Sequence, residues 1–440
     1  MISPPQSEAV DRNAASFLRS PIAWFREQQL RRDFWLFFAV AFFFDAGFAI
    51  YVFLFNLYLL DFHFNERAIG LIGGAMTLGS LIGMLPAGVL ARKIGLRPLL
   101  FFCLVAAPLV CTLRAIWMWE PAQLVLAFVA GLAMSSWGIC FLPAVARLTT
   151  EKNRTSAFSL IFSASISTSA LGGVVCGYLP QWLKMAGFVM QSADVKRLIL
   201  LASCGIALFG LIPLLRLQLP PVESEEFADL SPSRKDWLSR LKIHPFLLRF
   251  LPLMALWSAI LAAFTPFSNI YLSRVLHIPL TRIGLIFSTT QILQFCMGLL
   301  TPILFRALGL VNGIVATQIV TAIALASLAG TGNGGLAVGL YLTFSAAQWM
   351  SAPGLYNLLM NEIPDKERST AAALTMFCNS LAGSAATAGA GILFTRFGYP
   401  YVLAGIAFMA AAIAILFRLL LPPSSRRVSV PPPLASELLS

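Results

Sequence analysis

Residues 63–97 read HFNERAIGLIGGAMTLGSLIGMLPAGVLARKIGLR, and residues 277–311 read HIPLTRIGLIFSTTQILQFCMGLLTPILFRALGLV. Laid over one another at a shift of 214, ten of the 35 pairs are identical. They include His63 with His277, Ile69-Gly70-Leu71-Ile72 with Ile283-Gly284-Leu285-Ile286, and Arg92, Gly95 and Leu96 with Arg306, Gly309 and Leu310. The same shift sets Glu151-Lys152-Asn153-Arg154 on Asp365-Lys366-Glu367-Arg368. A shift of 213 sets Asn56-Leu57-Tyr58-Leu59 on Asn269-Ile270-Tyr271-Leu272. One nearly constant shift over so much chain implies two homologous halves. Each copy is an apolar run of bilayer-crossing length that ends in a cation and a glycine.

The rest of the chain has the same character. Of 440 residues, 58% are hydrophobic and 11% charged, where a soluble globular chain has about 25% charged. Such a chain lacks the polar surface to cover a soluble fold, which excludes ordinary cytosolic, disordered, collagenous and disulfide-stapled classes. The net charge of +12 is no nucleic-acid footprint, because Lys and Arg are scattered between apolar runs. The seven cysteines lie inside apolar runs without CxxC spacing, so neither a disulfide framework nor a zinc site is expected. Residues 1–33 carry five Arg, and the first apolar run is too long for a cleaved leader, so no signal peptide is expected.

Twelve runs are long enough to span: 34–60, 67–91, 98–117, 121–146, 155–183, 197–217, 246–273, 282–305, 312–330, 334–360, 368–395 and 399–420. They divide the chain into a cytoplasmic tail (1–33), a six-helix bundle (34–217), a solvated linker rich in Pro and charge (218–245), a second six-helix bundle (246–420) and a disordered tail (421–440). With both termini inside, 23 of the 31 Lys and Arg fall on inner segments, which is the orientation that the positive-inside rule selects. The expected fold is an all-α membrane protein of two pseudo-symmetric bundles, the parallel-repeat plan of alternating-access transporters.

The loop Gly88-Val-Leu-Ala-Arg92-Lys93-Ile-Gly95-Leu-Arg97 resembles the G-x-x-x-D-[RK]-x-G-[RK]-[RK] loop of the major facilitator superfamily, with a degenerate copy at Pro302 to Leu310. Glu151-Lys152-x-Arg154 and Pro364-Asp365-Lys366-x-Arg368 resemble the family's P-x-x-x-R. Two departures stand out: Arg92 replaces the loop's Asp, and Leu171-Gly172-Gly173-Val-Val-Cys176-Gly177 lacks the proline of the antiporter signature. The resemblance covers roughly residues 34–420 and implies a secondary transporter.

Gly95 and Gly309 suit tight turns between helix ends. Arg92, Lys93 and Arg97 are explained either as positive-inside anchors or as a cytoplasmic gate. In the family this loop faces the start of span 11, which would set Arg92 against Asp365 or Glu367 and, by the repeat, Arg306 against Glu151. Exposed bridges of this kind contribute ~1 kcal/mol or less, enough to bias two balanced states.

Asp45 is the one acidic residue deep in a span, roughly 16 Å along the first helix. A charge at that depth is costly and needs a reason. One reason is a proton site coupling proton flow to solute movement; the others are a structural carboxylate bonded to a neighbouring helix and a fixed counter-charge. Asn56 follows eleven residues later on the same face, and span 7 repeats the spacing with Ser258 and Asn269. With Gln291, Gln294, Trp137, Gln348, Trp349 and Asn379 these are the candidate cavity residues, each equally explicable as an interhelical hydrogen bond or a packing ring. Arg114 reads as a snorkelling cation beside Trp117 and Trp119, His63 and His277 as turn residues, and Asn65 and Thr281 as helix caps.

The function expected is transport of a small, neutral or weakly charged organic solute by a monomer in the lipid bilayer of a bacterial inner membrane, with protons as coupling ion. No cofactor, metal, nucleic-acid partner or enzymatic activity is expected. An uncoupled facilitator is the nearest alternative. A non-transporting sensor and a membrane-embedded enzyme are remote, since no soluble output domain and no catalytic motif is present.

Overall fold

The computed structural model describes residues 30–187, 191–219, 245–364 and 367–421. The 218–245 linker, the N-terminal tail and the C-terminal tail lie almost wholly outside the described residues. Among the described residues twelve long helices follow in order: α1 (Arg32–Asp61), α2 (Glu66–Ile94), α3 (Leu96–Ile116), α4 (Glu120–Leu148), α5 (Glu151–Met185), α6 (Ser192–Arg216), α7 (Pro245–Val275), α8 (Leu280–Leu308), α9 (Leu310–Gly330), α10 (Gly334–Glu362), α11 (Arg368–Phe397) and α12 (Tyr399–Leu420). Eleven are long and apolar enough to cross a membrane. The exception, α10, is 29 residues long but diluted by Ser345, Gln348, Ser351 and Asn357.

Helix pairing repeats between halves. In the first half α2 packs on α4, α1 on α5, and α3 on α4 and α6; in the second, α8 packs on α10, α7 on α11, and α9 on α10 and α12. Small residues permit the close approaches, as where Gly79 and Gly131 bring α2 onto α4. Large apolar side chains such as Met185 and Phe408 stand exposed where lipid would cover them. The matched turns also repeat: His63 and His277 have φ of 62° and 52°, and Gly95 and Gly309 have φ of 86° and 79°. Both histidines are thus turn residues.

Two local expectations need correction. Arg114 does not snorkel; it is 2% exposed, with its guanidinium 4.2 Å above the Phe55 ring and its Nε 3.4 Å from Gln123 Oε1. The Phe55 ring face, the Gln123 side-chain oxygen and Met76 Sδ, 3.8 Å from Nη1, stand in for water. Thr281 is not a cap, because α8 starts one residue earlier, behind Pro279. Asn65 does cap α2, its side chain accepting from the Ala68 N–H at 2.9 Å.

The helix α7 is not continuous. A regular stretch ends at Phe264, a 3-10 turn runs Thr265–Phe267, and a π segment covers Tyr271–Val275. Its repeat counterpart α1 is a single α-helix of 30 residues.

Candidate functional site

The halves meet along two seams, α2 with α11 and α5 with α8. A Cβ on Gly70 would fall 2.7 Å from the Thr387 carbonyl oxygen and 2.9 Å from Gly391 Cα. A Cβ on Gly284 would collide with the Gly173 carbonyl and fall 3.0 Å from Gly177 Cα. This is one contact made twice, since Gly70 and Gly284, Gly173 and Thr387, and Gly177 and Gly391 are each 214 apart. Ser384 Oγ donates to the Gly74 carbonyl at 2.8 Å, and Ser288 Oγ donates to the Ala170 carbonyl, again related by 214. Asn56 Nδ2 donates to the Pro266 carbonyl at 2.9 Å and Asn269 Nδ2 to the Phe53 carbonyl at 3.1 Å, related by 213. At the rim, Arg274 pairs with Glu66 at 3.1 Å. All these contacts lie toward the end of the molecule that carries the α1–α2 and α7–α8 turns, and they seal it.

Further along the seam lies the candidate site. Asp45 is half-buried near the middle of α1, its carboxylate within hydrogen-bonding reach of the Ser165 hydroxyl on α5. The residues 213 and 214 further on are Ser258 and Asn379, and Ser258 Oγ donates to the Asn379 backbone carbonyl at 3.2 Å. The repeat therefore sets an acid–hydroxyl pair in one half at the depth of a hydroxyl–amide pair in the other. Beside the second pair opens a cleft of about 450 Å³ between α2, α7 and α11. Thr77, Ser258, Thr265, Asn379, Ser380 and Thr387 give it polar groups, and Leu261, Ala262, Pro266 and Gly383 complete its lining. None of these carries a charge. Asn379 Oδ1 is buried with no hydrogen-bond partner. Among the described residues no three His, Cys, Asp or Glu gather as a metal site.

Of the cavity candidates named from sequence, Ser258 and Asn379 line this cleft, while Asn56 and Asn269 belong to the seal above it. The others do not line it. Gln294 Nε2 donates to Ser345 Oγ at 2.8 Å, joining α8 to α10. Trp137 packs on α1, its ring centroid 4.4 Å from that of Phe44. Gln291 is half-buried, Gln348 has a buried Oε1 without a partner, and Trp349 is 49% exposed beside Gly298. Ser165, Thr265, Pro266, Ser380 and Thr387 are not among the candidates that the sequence singles out. The register was the missed signal for Ser165, which stands 214 residues before Asn379.

At the other end of the molecule, Arg92 is half-buried and Lys93, Arg97 and Arg306 are exposed. Arg97 Nη2 donates to the Leu215 carbonyl at 2.7 Å, within its own half. Arg154 Nη2 lies 3.4 Å from the Ala146 carbonyl and Arg368 Nε 2.9 Å from the Met360 carbonyl. These two contacts are also 214 apart, and each Arg covers terminal carbonyls of the preceding helix. A Cβ on Gly88 would meet nothing within 4 Å. Asp365 and the side chain of Glu151 lie outside the described residues.

Comparison with known proteins agrees with this architecture. Residues 36–387 match the family model of the Major Facilitator Superfamily. A mutant form of the nucleoside transporter NupG superposes with a TM-score of 0.74 at 14% identity, covering 89% of this chain and 100% of that one. A D-xylose–proton symporter gives 0.71 at 14% identity over 89% and 98%. An inward-facing, unoccupied bacterial homolog of the human lysosomal transporter Spinster gives 0.69 at 11% identity over 88% and 95%. A search of curated protein sequences finds no match. With four-fifths of its length matched by the family model, the chain belongs to the Major Facilitator Superfamily and is a membrane transporter rather than an enzyme.

Proposed function

We propose that this transporter carries a small, neutral, hydroxyl-bearing solute by alternating access and couples its movement to a proton at Asp45. The observation that carries the reading is the contrast between repeat-related places: a lone acid on α1, and in the other half an uncharged cleft of about 450 Å³ lined by hydroxyls and an amide. A charged solute would give up its hydration there without a counter-charge in the lining. Asp45 is the only acidic residue of the described helices that is not in a terminal turn, and a carboxyl so placed is a functional site by default. Structures of similar fold are named for a nucleoside and for D-xylose with a proton, both cargoes neutral and rich in hydroxyls.

The bundles 34–217 and 246–420 are the rocking bodies in this reading, tethered by 218–245, with both termini inside. The sealed end then faces outward, and the cleft belongs to an inward-facing state. The bridges Arg92–Asp365 and Arg306–Glu151 are the proposed closure of the inner end; Arg92→Asp should impair transport and a paired Asp365→Arg should restore part of it.

The coupling test starts from a thermal-shift screen of purified protein against neutral metabolites, since a ligand stabilises the state it binds. With the solute found, proteoliposomes should accumulate it under a proton gradient. Asp45→Asn should lose that accumulation and keep solute counterflow. Accumulation that survives in Asp45→Asn would leave the uncoupled or structural reading of this residue standing instead.

A further inference from the structure

Three carbonyls at the α7 break are held by side chains. Pro266 has no N–H, so the Ala262 carbonyl loses its ladder partner, and Thr387 Oγ1 donates to it at 3.0 Å. The register then changes from α to 3-10 to π, and the Thr265 carbonyl takes the Ser268 N–H in the tighter 3-10 pattern. Ser268 Oγ donates to the Thr265 carbonyl at 2.8 Å, and Asn56 Nδ2 to the Pro266 carbonyl at 2.9 Å. Ala262, Thr265, Pro266 and Thr387 all line the cleft. Of the three donors, Asn56 alone comes from the other half. Its repeat image, Asn269, donates to the Phe53 carbonyl inside the unbroken α1, where the regular ladder already supplies a partner.

We propose that Asn56 is the positioning residue that ties the cleft wall to the sealed end: it latches the broken α7 shut through the Pro266 carbonyl, while Asn269, related to it by the repeat, contributes little to closure. The latch rests on the alternating-access reading but needs no identified solute for its test. When Asn56 lets go, the Pro266 carbonyl faces the cleft and the two halves lose their central contact on that side. The asymmetry follows from where the acceptors sit: Pro266 lies in a three-residue 3-10 turn that runs on into a π segment, with poorer backbone hydrogen bonds than the regular ladder around Phe53.

The experiment places a cysteine at Ala388, whose Cβ lies 3.1 Å from a Cβ built on Gly74 in the seal. Cys296 and Cys378, the two cysteines not fully buried, are replaced by serine in the full-length protein. Maleimide labelling of Ala388→Cys reports opening of the sealed end. Asn56→Leu keeps the bulk and removes the donor; it should raise the labelling rate about 5-fold, the population change of one neutral hydrogen bond worth ~1 kcal/mol. Asn269→Leu should raise it less than about 2-fold, with similar melting temperatures for both variants. Equal effects of the two, or none from Asn56→Leu, would overturn the latch. Hydrogen exchange of the peptide 264–272 in the parent sequence serves as a second readout should Ala388→Cys disturb the seal by itself. Exchange should be faster in Asn56→Leu than in Asn269→Leu, and equal rates would again reject the proposal.

Discussion

Asp45 and Ser258 hold the same place in the two halves, as do Ser165 and Asn379, yet one pair can exchange a proton and the other cannot. Around them the halves kept their geometry. The seam contacts of Gly70 and Gly284, the serine bonds of Ser384 and Ser288, and the arginine caps of Arg154 and Arg368 all recur at one shift. Where backbone approaches backbone, a change in either half breaks a contact the other half needs, so both copies stay alike. At Asp45 and Ser258, and at Ser165 and Asn379, no such backbone contact across the halves is made, and the copies differ. In the reading proposed above, divergence within the repeated frame marks the chemistry and the retained frame marks the surfaces that rock.

Substitutions at the paired positions sharpen the comparison. The largest effect is expected for Ser258→Asp, which would put an unpaired carboxylate against the Asn379 carbonyl and into the neutral cleft. Solute affinity measured by calorimetry should fall about 30-fold, ~2 kcal/mol of uncompensated charge. Asn379→Ala should weaken binding up to about 10-fold, the scale of one or two neutral hydrogen bonds, and leave the number of protons moved per solute unchanged. A changed proton count in Asn379→Ala would mean the two halves do not divide the work.

How much of this could be read from residues alone varies with the physics involved. The two bundles, the helix order and the turn glycines were legible because apolar length, terminal cations and the shift of 214 are properties of the chain itself. The alignment of Asp45 and Asn56 with Ser258 and Asn269 was legible for the same reason. The cleft was not. Gln294 and Trp137 have the polarity or size of cavity residues, but Ser345 and Phe44 stand opposite them, and a helical period does not say which neighbour a face meets. The α7 break was equally hidden. Prolines 86, 108, 143, 180, 252, 302 and 353 all sit inside helices that continue, so Pro266 carried no distinguishing sign. Asn56, 210 residues away, is what meets that break.

Smaller effects test the frame itself. Ser165→Ala removes the hydroxyl beside Asp45 and should shift the pH dependence of gradient-driven uptake without changing solute affinity; an unshifted profile would separate the two residues. Arg154→Ala and Arg368→Ala should each lower stability by about 1 kcal/mol, and by similar amounts, because each loses the same carbonyl contact in its own half. Melting temperatures that differ by more than a few degrees would show that the repeat is not energetically symmetric.

The account stands most directly on whether solute entry moves protons through Asp45. Proteoliposomes loaded with a pH-sensitive dye should show an internal pH change when the identified solute is added outside, proportional to the solute taken up. Asp45→Asn should carry the solute down its gradient with no pH change. A pH change of wild-type size in Asp45→Asn would contradict the account.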